Sequence, residues 1–523
     1  MKKIAKFLIV LGMMGQLSSC DYLDIVPDER AQESDTWKTE GAVRGYLYSC
    51  YGYLPANRTF GNSYWLAEEL TAVTKELFTT FKYGYYSPVS LGFTSNTWST
   101  IWNGIHQCYM FQESLKQVSN EYVTDEMKKQ YLAESNFLIA YYHFLSMRSY
   151  GPTMIIRSVI DLETPISGFP ERSSIDEVVA FINEKLDEAM SEGGLPTTWS
   201  GKDYGRATRL AALALKSRVY LYAASPLYNG NTEMYADFRS PLDGRQLIAQ
   251  EKSQAKWEIS ATQTKYAIDE VEKAKFHLYH DADAGEPSDA KPGLPNKAQR
   301  RLRYTNIDNQ TGNNPEIIWA DTRNDDYYGI QRRCPPRQTL GGKFAGISMT
   351  NCPTLQTIEA FYTKNGLPIN KDKTFDYDER YEYISAPENC DGNNYEDLVK
   401  YANFTPSSDK VMRLCTDREP RFYAWTTYHN GYFEFGKYNN EEISADPAKR
   451  AIRIHLLRDD PHGRGNRTDQ EYSISGFGNK KGVVPSAEWN VIEYPFPLFR
   501  LAELYLNYAE ALVELDRLSE AKV

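Results

Sequence analysis

Between residues 60 and 103 the chain concentrates Tyr64, Trp65, Tyr83, Tyr85, Tyr86, Phe93, Asn96 and Trp98. Tyrosine and tryptophan carry an apolar face and a polar tip, which suits a wet, partly exposed binding surface. Flat rings beside planar polar groups hold a ligand that has apolar C–H faces and many hydroxyls, as sugars do. Specificity then comes from the cost of burying a hydroxyl unpaired. The chemistry on offer is stacking and hydrogen bonding. Tyr85 and Tyr86 adjoin Gly84 and Ser87-Pro88, turn formers that favour exposure. Trp98 and Trp102 stand one helical turn apart, a spacing that equally suits a core.

Groups that make or break bonds show little pattern. The chain has no G-x-S-x-G elbow and no phosphate-binding loop. His277-Leu278-Tyr279-His280 is the one close histidine pair, and no H-E-x-x-H frame or cysteine pair completes it, so no metal site is expected. Carboxylates such as Glu68-Glu69, Asp376 and Asp378 are plentiful among 70 acidic residues, so pairs arise by chance. A glycosidase would need two of them held about 5–9 Å apart around a sugar. No cofactor is expected, with a structural Ca²⁺ at an Asp281/Asp283-type loop the single allowance. The chain reads as a binding protein and not an enzyme.

The N-terminus says where such a surface would stand. Lys2, Lys3 and Lys6 precede Phe7-Leu8-Ile9-Val10-Leu11. This apolar run of about ten residues is too short to cross a bilayer core of roughly 30 Å. Leu17-Ser18-Ser19-Cys20 resembles the lipobox of bacterial lipoproteins. Residues 1–19 are therefore expected to be a cleaved signal peptide, and Cys20 the lipidated first residue of the mature chain. Each buried CH₂ contributes about 0.8 kcal/mol, so several acyl chains anchor firmly. Residues 20–35, polar and acidic with Pro27, read as a leader. The net charge of −11 has both signs dispersed, and no basic stripe offers phosphate neutralisation, which excludes a nucleic-acid partner. No later apolar run is long enough to span a membrane. Beyond Cys20 the cysteines are Cys50, Cys108, Cys334, Cys352, Cys390 and Cys415. Six in so long a chain do not form a disulfide scaffold, and their spacing selects no pairing.

The elements that would position the aromatics are mainly helices. Val43, Tyr46, Leu47, Cys50 and Leu54 share one face of a helix starting at Thr39. Further helices are expected from about Trp98, and from about Thr124 to a stop at Gly151-Pro152. Others follow a capping box at Ser174-Ile175-Asp176-Glu177, span 207–224 and about 255–275, and run from Pro497 to about Leu515. Alanines opposite large aromatics suit paired helices that stack as repeats of about 34 residues do. From roughly 277 to 490, Gly, Pro, Asn and Asp punctuate the chain, predicting long loops, small helices and short strands such as Ile317-Ile318-Trp319-Ala320, with Trp319 in the core.

Several of these stretches together resemble the SusD/RagB family of surface glycan-binding lipoproteins of Bacteroidota. They are Trp37-Lys38-Thr39-Glu40-Gly41-Ala42, residues 133–142 followed by Arg148-Ser149-Tyr150-Gly151-Pro152, and Gly205-Arg206-Ala207-Thr208. Asn314-Pro315-Glu316-Ile317-Ile318-Trp319, Pro353-Thr354-Leu355-Gln356 with Asn365-Gly366, Arg418-Glu419-Pro420-Arg421-Phe422 and Phe499 to Ala511 continue the series in order. The resemblance implies one domain over 36–523, with an N-terminal part of about 36–225 and a later part of about 226–523. It implies tetratricopeptide-like helix pairs under a loop-rich face carrying short strands. It implies a glycan ligand, no bond chemistry, and a place on the outer face of the outer membrane as lid of a SusC-type TonB-dependent transporter. Asp21, Asp24, Asp28 and Glu29 are compatible with surface export. Ligand contacts in the family come from the N-terminal loops and from the later half, which adds Tyr327, Tyr328, Arg332 and Arg333 to the candidates. A peptide ligand on the same fold is the alternative, and a secreted hydrolase the lesser one. The family normally continues past its last helix. A missing C-terminal segment is therefore expected after Val523, with Leu512 and Leu515 left exposed.

Overall fold

In the computed structural model the residues described are 37–55, 68–72, 87, 94–161, 163–280, 283, 297–308, 314–323, 330–336, 349–385, 410–434, 451–460, 462–465, 472–484 and 493–522. Seven long helices organise them: α1 (Glu40–Tyr51), α2 (Thr94–Leu115), α3 (Asp125–Tyr150), α4 (Ile175–Ala189), α5 (Arg209–Ala224), α6 (Gln254–Lys273) and α7 (Leu501–Glu514). Each packs against the next in chain order, α1 on α2 through to α6 on α7. The fold is mainly helical, as expected.

Local chemistry starts these helices where the sequence places them. The Thr39 hydroxyl accepts from the Ala42 amide at 3.1 Å, and the Thr208 hydroxyl from that of Ala211 at 3.0 Å. The capping box is formed: Glu177 N–H donates to the Ser174 hydroxyl at 3.3 Å, and Ser174 N–H to the Glu177 carboxylate at 2.7 Å. The α2 helix starts four residues before Trp98.

Helix α3 is the centre. Every residue from Ala133 to Met147 is buried, because α1, α2, α4 and α5 all lie on it. At Gly104 of α2 a Cβ would stand 2.9 Å from the Tyr142 ring, so only glycine lets the two helices approach so closely. Polar residues on α3 find partners inside. The Gln112 amide donates to Asn136 at 2.8 Å, and Ser146 bonds Thr153 at 2.7 Å.

His143 is the most constrained of them. Its Nδ1 donates to the Ile139 carbonyl at 2.8 Å, and its Nε2 accepts from the Ile156 amide at 3.3 Å. Burial pushes its pKa down to about 4. A proton on Nε2 would face the Ile156 N–H, donor against donor. The unfolded chain takes up that proton near pH 6.5, whereas the folded one waits until about pH 4. The contribution is whole above pH 6.5 and drains away as pH falls to about 4. Between pH 7 and 5, His143→Gln should therefore lose about 2 kcal/mol less stability than the parent does. Urea unfolding at the two pH values measures this. Equal losses would mean that His143 titrates in the fold as it does in the open chain.

After α6 the chain leaves the helical stack, packs on it again at the strand Ile317–Asp321 and rejoins it at α7. The return is clamped by antiparallel pairing of Phe496–Arg500 with Ile317–Asp321, Phe499 opposite Trp319. The Trp319 side chain is buried between Phe137, Tyr141 and Phe499, with ring centroids 5.0, 5.2 and 5.8 Å away. Its Nε1 donates to the Gly205 carbonyl at 2.9 Å. Two expectations need correcting here. Residues 497–500 are strand and not the start of the last helix, because Ile317–Asp321 offers them a ladder. Leu512 is fully buried, and Leu515 is partly buried, packed with Ala511 against Trp257 and Ala261 of α6; Leu506 and Val513 are exposed.

The described parts of the excursion form two-stranded pairs, short helices and small separate cores, the largest around Ile358, Leu414 and Phe422. Cys50, Cys108, Cys334, Cys352 and Cys415 are free and buried, so no bridge joins any two of them. Among the described residues no helix is long and apolar enough to cross a membrane.

Candidate functional site

The strand Leu70–Ala72 lies within the first aromatic-rich region, and it pairs antiparallel with Asn351–Pro353. The junction is tied by Thr354, whose amide donates to the Glu69 carbonyl at 2.9 Å and whose hydroxyl donates to that of Glu68 at 3.1 Å. Beside it stand Ile330, which follows Tyr327 and Tyr328 by two residues in the chain, and the pair Thr426–Thr427 with Gly478–Asn479. These elements surround a cleft of about 410 Å³. Its walls include Trp425, Phe361, Thr357, Glu69, Asn479 and Lys481.

Trp425 ends the short helix Pro420–Trp425, which starts on proline at its first turn. Its indole N–H donates to the Leu302 carbonyl at 3.3 Å, which fixes the ring plane. Lys481 reaches over that ring, its ammonium 4.7 Å from the centroid. A tight turn holds it there: Lys481 N–H donates to Asn479 Oδ1 at 3.1 Å, and Lys480 N–H to the Trp425 carbonyl at 2.8 Å. Burial pushes the Lys481 pKa down, helped by Arg500 and opposed by Glu69. Among the described residues its ammonium has no ion pair within 4 Å. The cleft thus offers a fixed indole, a second ring and one charge of each sign, with the Thr357 hydroxyl and the Asn479 amide held in its wall by bonds to the Glu69 and Lys481 backbone.

A second cleft of about 290 Å³ lies between the end of α1, residues 202–206 and residues 320–323. Its two guanidinium groups are already engaged. Arg323 donates to the carbonyls of Leu54 and Pro55 and to the Asp321 carboxylate. Arg206 is bound to Glu134 and Asp203. Gly205, with φ of 98°, sits where a Cβ would meet Thr322 at 2.8 Å, so this wall is built from close packing. Those groups hold the fold together, and the first cleft is the better ligand site.

Of the predicted site residues, Cys20, Tyr64, Trp65, Tyr83, Tyr85, Tyr86, Tyr327 and Tyr328 lie outside the described residues. Asn96 stands on α2 and Arg332 on the short helix Ile330–Arg333, with their side chains outside the described set. Trp98 is half-buried, edge-on to Trp102 at 5.3 Å and to Tyr150 at 4.9 Å. It helps seat α2 on α3 and lines neither cleft. The sequence reading missed Trp425, Phe361 and Lys481. A signal for the first existed, since Arg418-Glu419-Pro420-Arg421-Phe422 leads directly into Trp425. Lys481 carried none, because its place depends on pairing between distant strands.

Comparison with known proteins agrees with this architecture. A family model described as "SusD family" matches residues 315–523, and one described as "Starch-binding associating with outer membrane" matches residues 21–221. Among curated proteins none matches significantly. Among solved structures the chain is similar to BT4246, with TM-score 0.73 and 28% identity over 92% of this chain and 80% of that one. It shares the fold of a SusD-like protein, BF3747, from Bacteroides fragilis, with TM-score 0.62 and 20% identity over 95% of this chain and 79% of that one. A SusD-like carbohydrate binding protein from the same organism, BF0978, aligns with TM-score 0.56 and 17% identity over 92% and 75%. The helical stack, the clamped return and both matched models place the chain in one group: it belongs to the SusD family.

Proposed function

We propose that this protein captures glycan at the outer membrane without cutting it, in the cleft walled by Trp425, Phe361 and Lys481. The observation that carries the reading is that described residues from within the first aromatic-rich region and from just after the second line one cleft. Glu69-Leu70 lies within the first region and Ile330 follows Tyr328 by two residues, and all three border the same space. Trp425 supplies a flat apolar platform and Lys481 an ammonium that sugar hydroxyls can use, while the Thr357 hydroxyl and the Asn479 amide are bonded to the Glu69 and Lys481 backbone and shape the wall. Glu69 is the one carboxylate among the described residues lining the cleft, and glycoside cleavage needs two. Membership of a family with a starch-binding, outer-membrane model supports the same reading. In it, Cys20 carries the lipid anchor. The chain then presents its ligand to a SusC-type TonB-dependent transporter. High local concentration at the transporter mouth lets modest affinity suffice.

Titration calorimetry against a panel of polysaccharides, followed by Trp425→Ala with the ligand found, tests this. Affinity should fall roughly 10- to 100-fold, as loss of a central aromatic anchor does. Trp98→Ala should leave affinity unchanged. A loss with Trp98→Ala and none with Trp425→Ala would move the site away from this cleft. Release of shorter sugars would make the protein a hydrolase, and binding of peptides alone would make polypeptide the cargo.

A further inference from the structure

Immediately after α6 the chain runs Phe276-His277-Leu278-Tyr279-His280, and Asp283 follows. Read as sequence, the two histidines lack a third ligand. The fold supplies one. His277 N–H donates to the Pro315 carbonyl at 3.0 Å, which pins the start of the segment beside the strand Ile317–Asp321. Tyr279 is buried between the two histidines. Its amide donates to Glu316 at 2.9 Å, and its hydroxyl to Asp308 at 2.6 Å. Glu316 is itself held by Arg500 at 2.6 Å. With Tyr279 anchored inward, His277 and His280 stand side by side outside, rings 5.1 Å apart and within 16° of parallel.

Asp283 lies back against them. Asp283 N–H donates to the His280 carbonyl at 3.1 Å, and His280 N–H donates to the Asp283 carboxylate at 2.7 Å. This reciprocal pair fixes the carboxylate, leaving further lone pairs for a cation. Its oxygens lie 3.4 Å from His277 Nε2 and 3.8 Å from His280 Nδ1. All three donor atoms fall within 4.8 Å of one another. Ligands about 2.0–2.2 Å from a tetrahedral zinc ion stand roughly 3.3–3.6 Å apart. The two histidine–carboxylate separations are thus close to bonding geometry. The imidazoles, with side chains 44% and 61% exposed, can turn the remaining way without disturbing the core.

We propose that His277, His280 and Asp283 bind one divalent ion of the zinc class, with water completing the coordination. Two imidazole nitrogens and one carboxylate suit Zn²⁺, Ni²⁺, Co²⁺ or Cu²⁺. Calcium and magnesium want a shell of oxygens, so the ion that the acidic loop suggested from sequence is the wrong one for this donor set. The site borders neither cleft and does not depend on how glycan binds. Its effect would be to clasp residue 283 onto the pinned segment 277–280.

The test is competition between metal-free purified protein and a chromophoric chelator for Zn²⁺. One equivalent should bind per chain, micromolar or tighter, and millimolar Ca²⁺ should not displace it. His277→Ala and Asp283→Asn should each weaken binding at least tenfold, and His277→Ala/His280→Ala should abolish it. Both histidines are substantially exposed, so these variants should keep the parent's melting temperature without metal, and Zn²⁺ should raise it only in the parent. The histidines at 429, 455 and 462 are the competing donors; His455→Ala should bind Zn²⁺ like the parent. Absence of stoichiometric binding, or binding that survives the double substitution, overturns the proposal.

Discussion

Glu134→Ala is expected to destabilise the fold by about 3–5 kcal/mol, the cost of stranding a buried charge. Glu134 sits in the middle of α3 with no exposure. Arg206, at the entry to α5, donates to its two oxygens at 2.5 and 3.1 Å, and Tyr51, at the end of α1, donates to it at 2.7 Å. Tyr51 in turn accepts the Ala207 amide at 2.9 Å. One carboxylate therefore joins three helices. Burial lifts its pKa above the ordinary value, against the pull of Arg206 and Tyr51. Taking it away leaves a guanidinium that is 8% exposed and keeps only Asp203. Glu134→Leu with Arg206→Met should recover most of the loss, because apolar groups of similar size pack where the pair stood. Urea unfolding of the two variants checks both statements. A cost under about 1 kcal/mol for Glu134→Ala would mean that water reaches the pair.

Arg418→Met should cost a similar amount, about 3–5 kcal/mol, concentrated in the small core of the loop-rich half. Arg418 is 3% exposed and has no carboxylate within ion-pair distance among the described residues. It spends its donors on carbonyls instead: Leu414 at 2.6 Å, Ile358 and Phe361 at 2.7 Å, and Tyr362 at 3.4 Å. Those of Ile358 and Phe361 end the helix Leu355–Ala360, where a cation is favoured. Its guanidinium also covers the Phe422 ring at 4.9 Å. Methionine keeps the bulk and leaves the Leu414, Ile358 and Phe361 carbonyls without a donor, while that of Tyr362 keeps the Glu419 amide. Lysine should not rescue, since one ammonium cannot span a planar fork of acceptors. Hydrogen exchange should show residues 355–363 and 414–428 opening while α3 stays protected. Uniform loss of protection would mean that the two cores unfold as one. Phe361 and Trp425 are attached to this core, so glycan binding should weaken in the same variant.

What could be read from the sequence was what adjacent residues decide. Thr39, Thr208 and the Ser174–Glu177 box marked helix starts, since a cap acts within four residues of itself. The motifs at Glu134 and Arg206 were visible as motifs, but their mutual bond was not, because nothing local pairs residues on separate helices. Pro497–Arg500 read as helix because its apolar run continues into α7. The strand that claims it, Ile317–Asp321, lies in another part of the chain. Leu515 read as exposed because its cover comes from Trp257 and Ala261 of α6. The same reason governs the site. Aromatic density marked a binding surface, while the wall holding Trp425 and Lys481 is assembled from two strand pairs that no spacing rule brings together.

The strand pair Phe496–Arg500 with Ile317–Asp321 acts as a buckle at the base of the intervening chain, both of its ends being fixed to the helical stack. With its ends already fastened, doubling the chain between them adds only about 0.6 kcal/mol in closure entropy. Such a purse can be resized or relined at small thermodynamic cost while the frame that carries it stays unchanged. One scaffold could then be refitted for many cargoes by rewriting a single enclosed stretch.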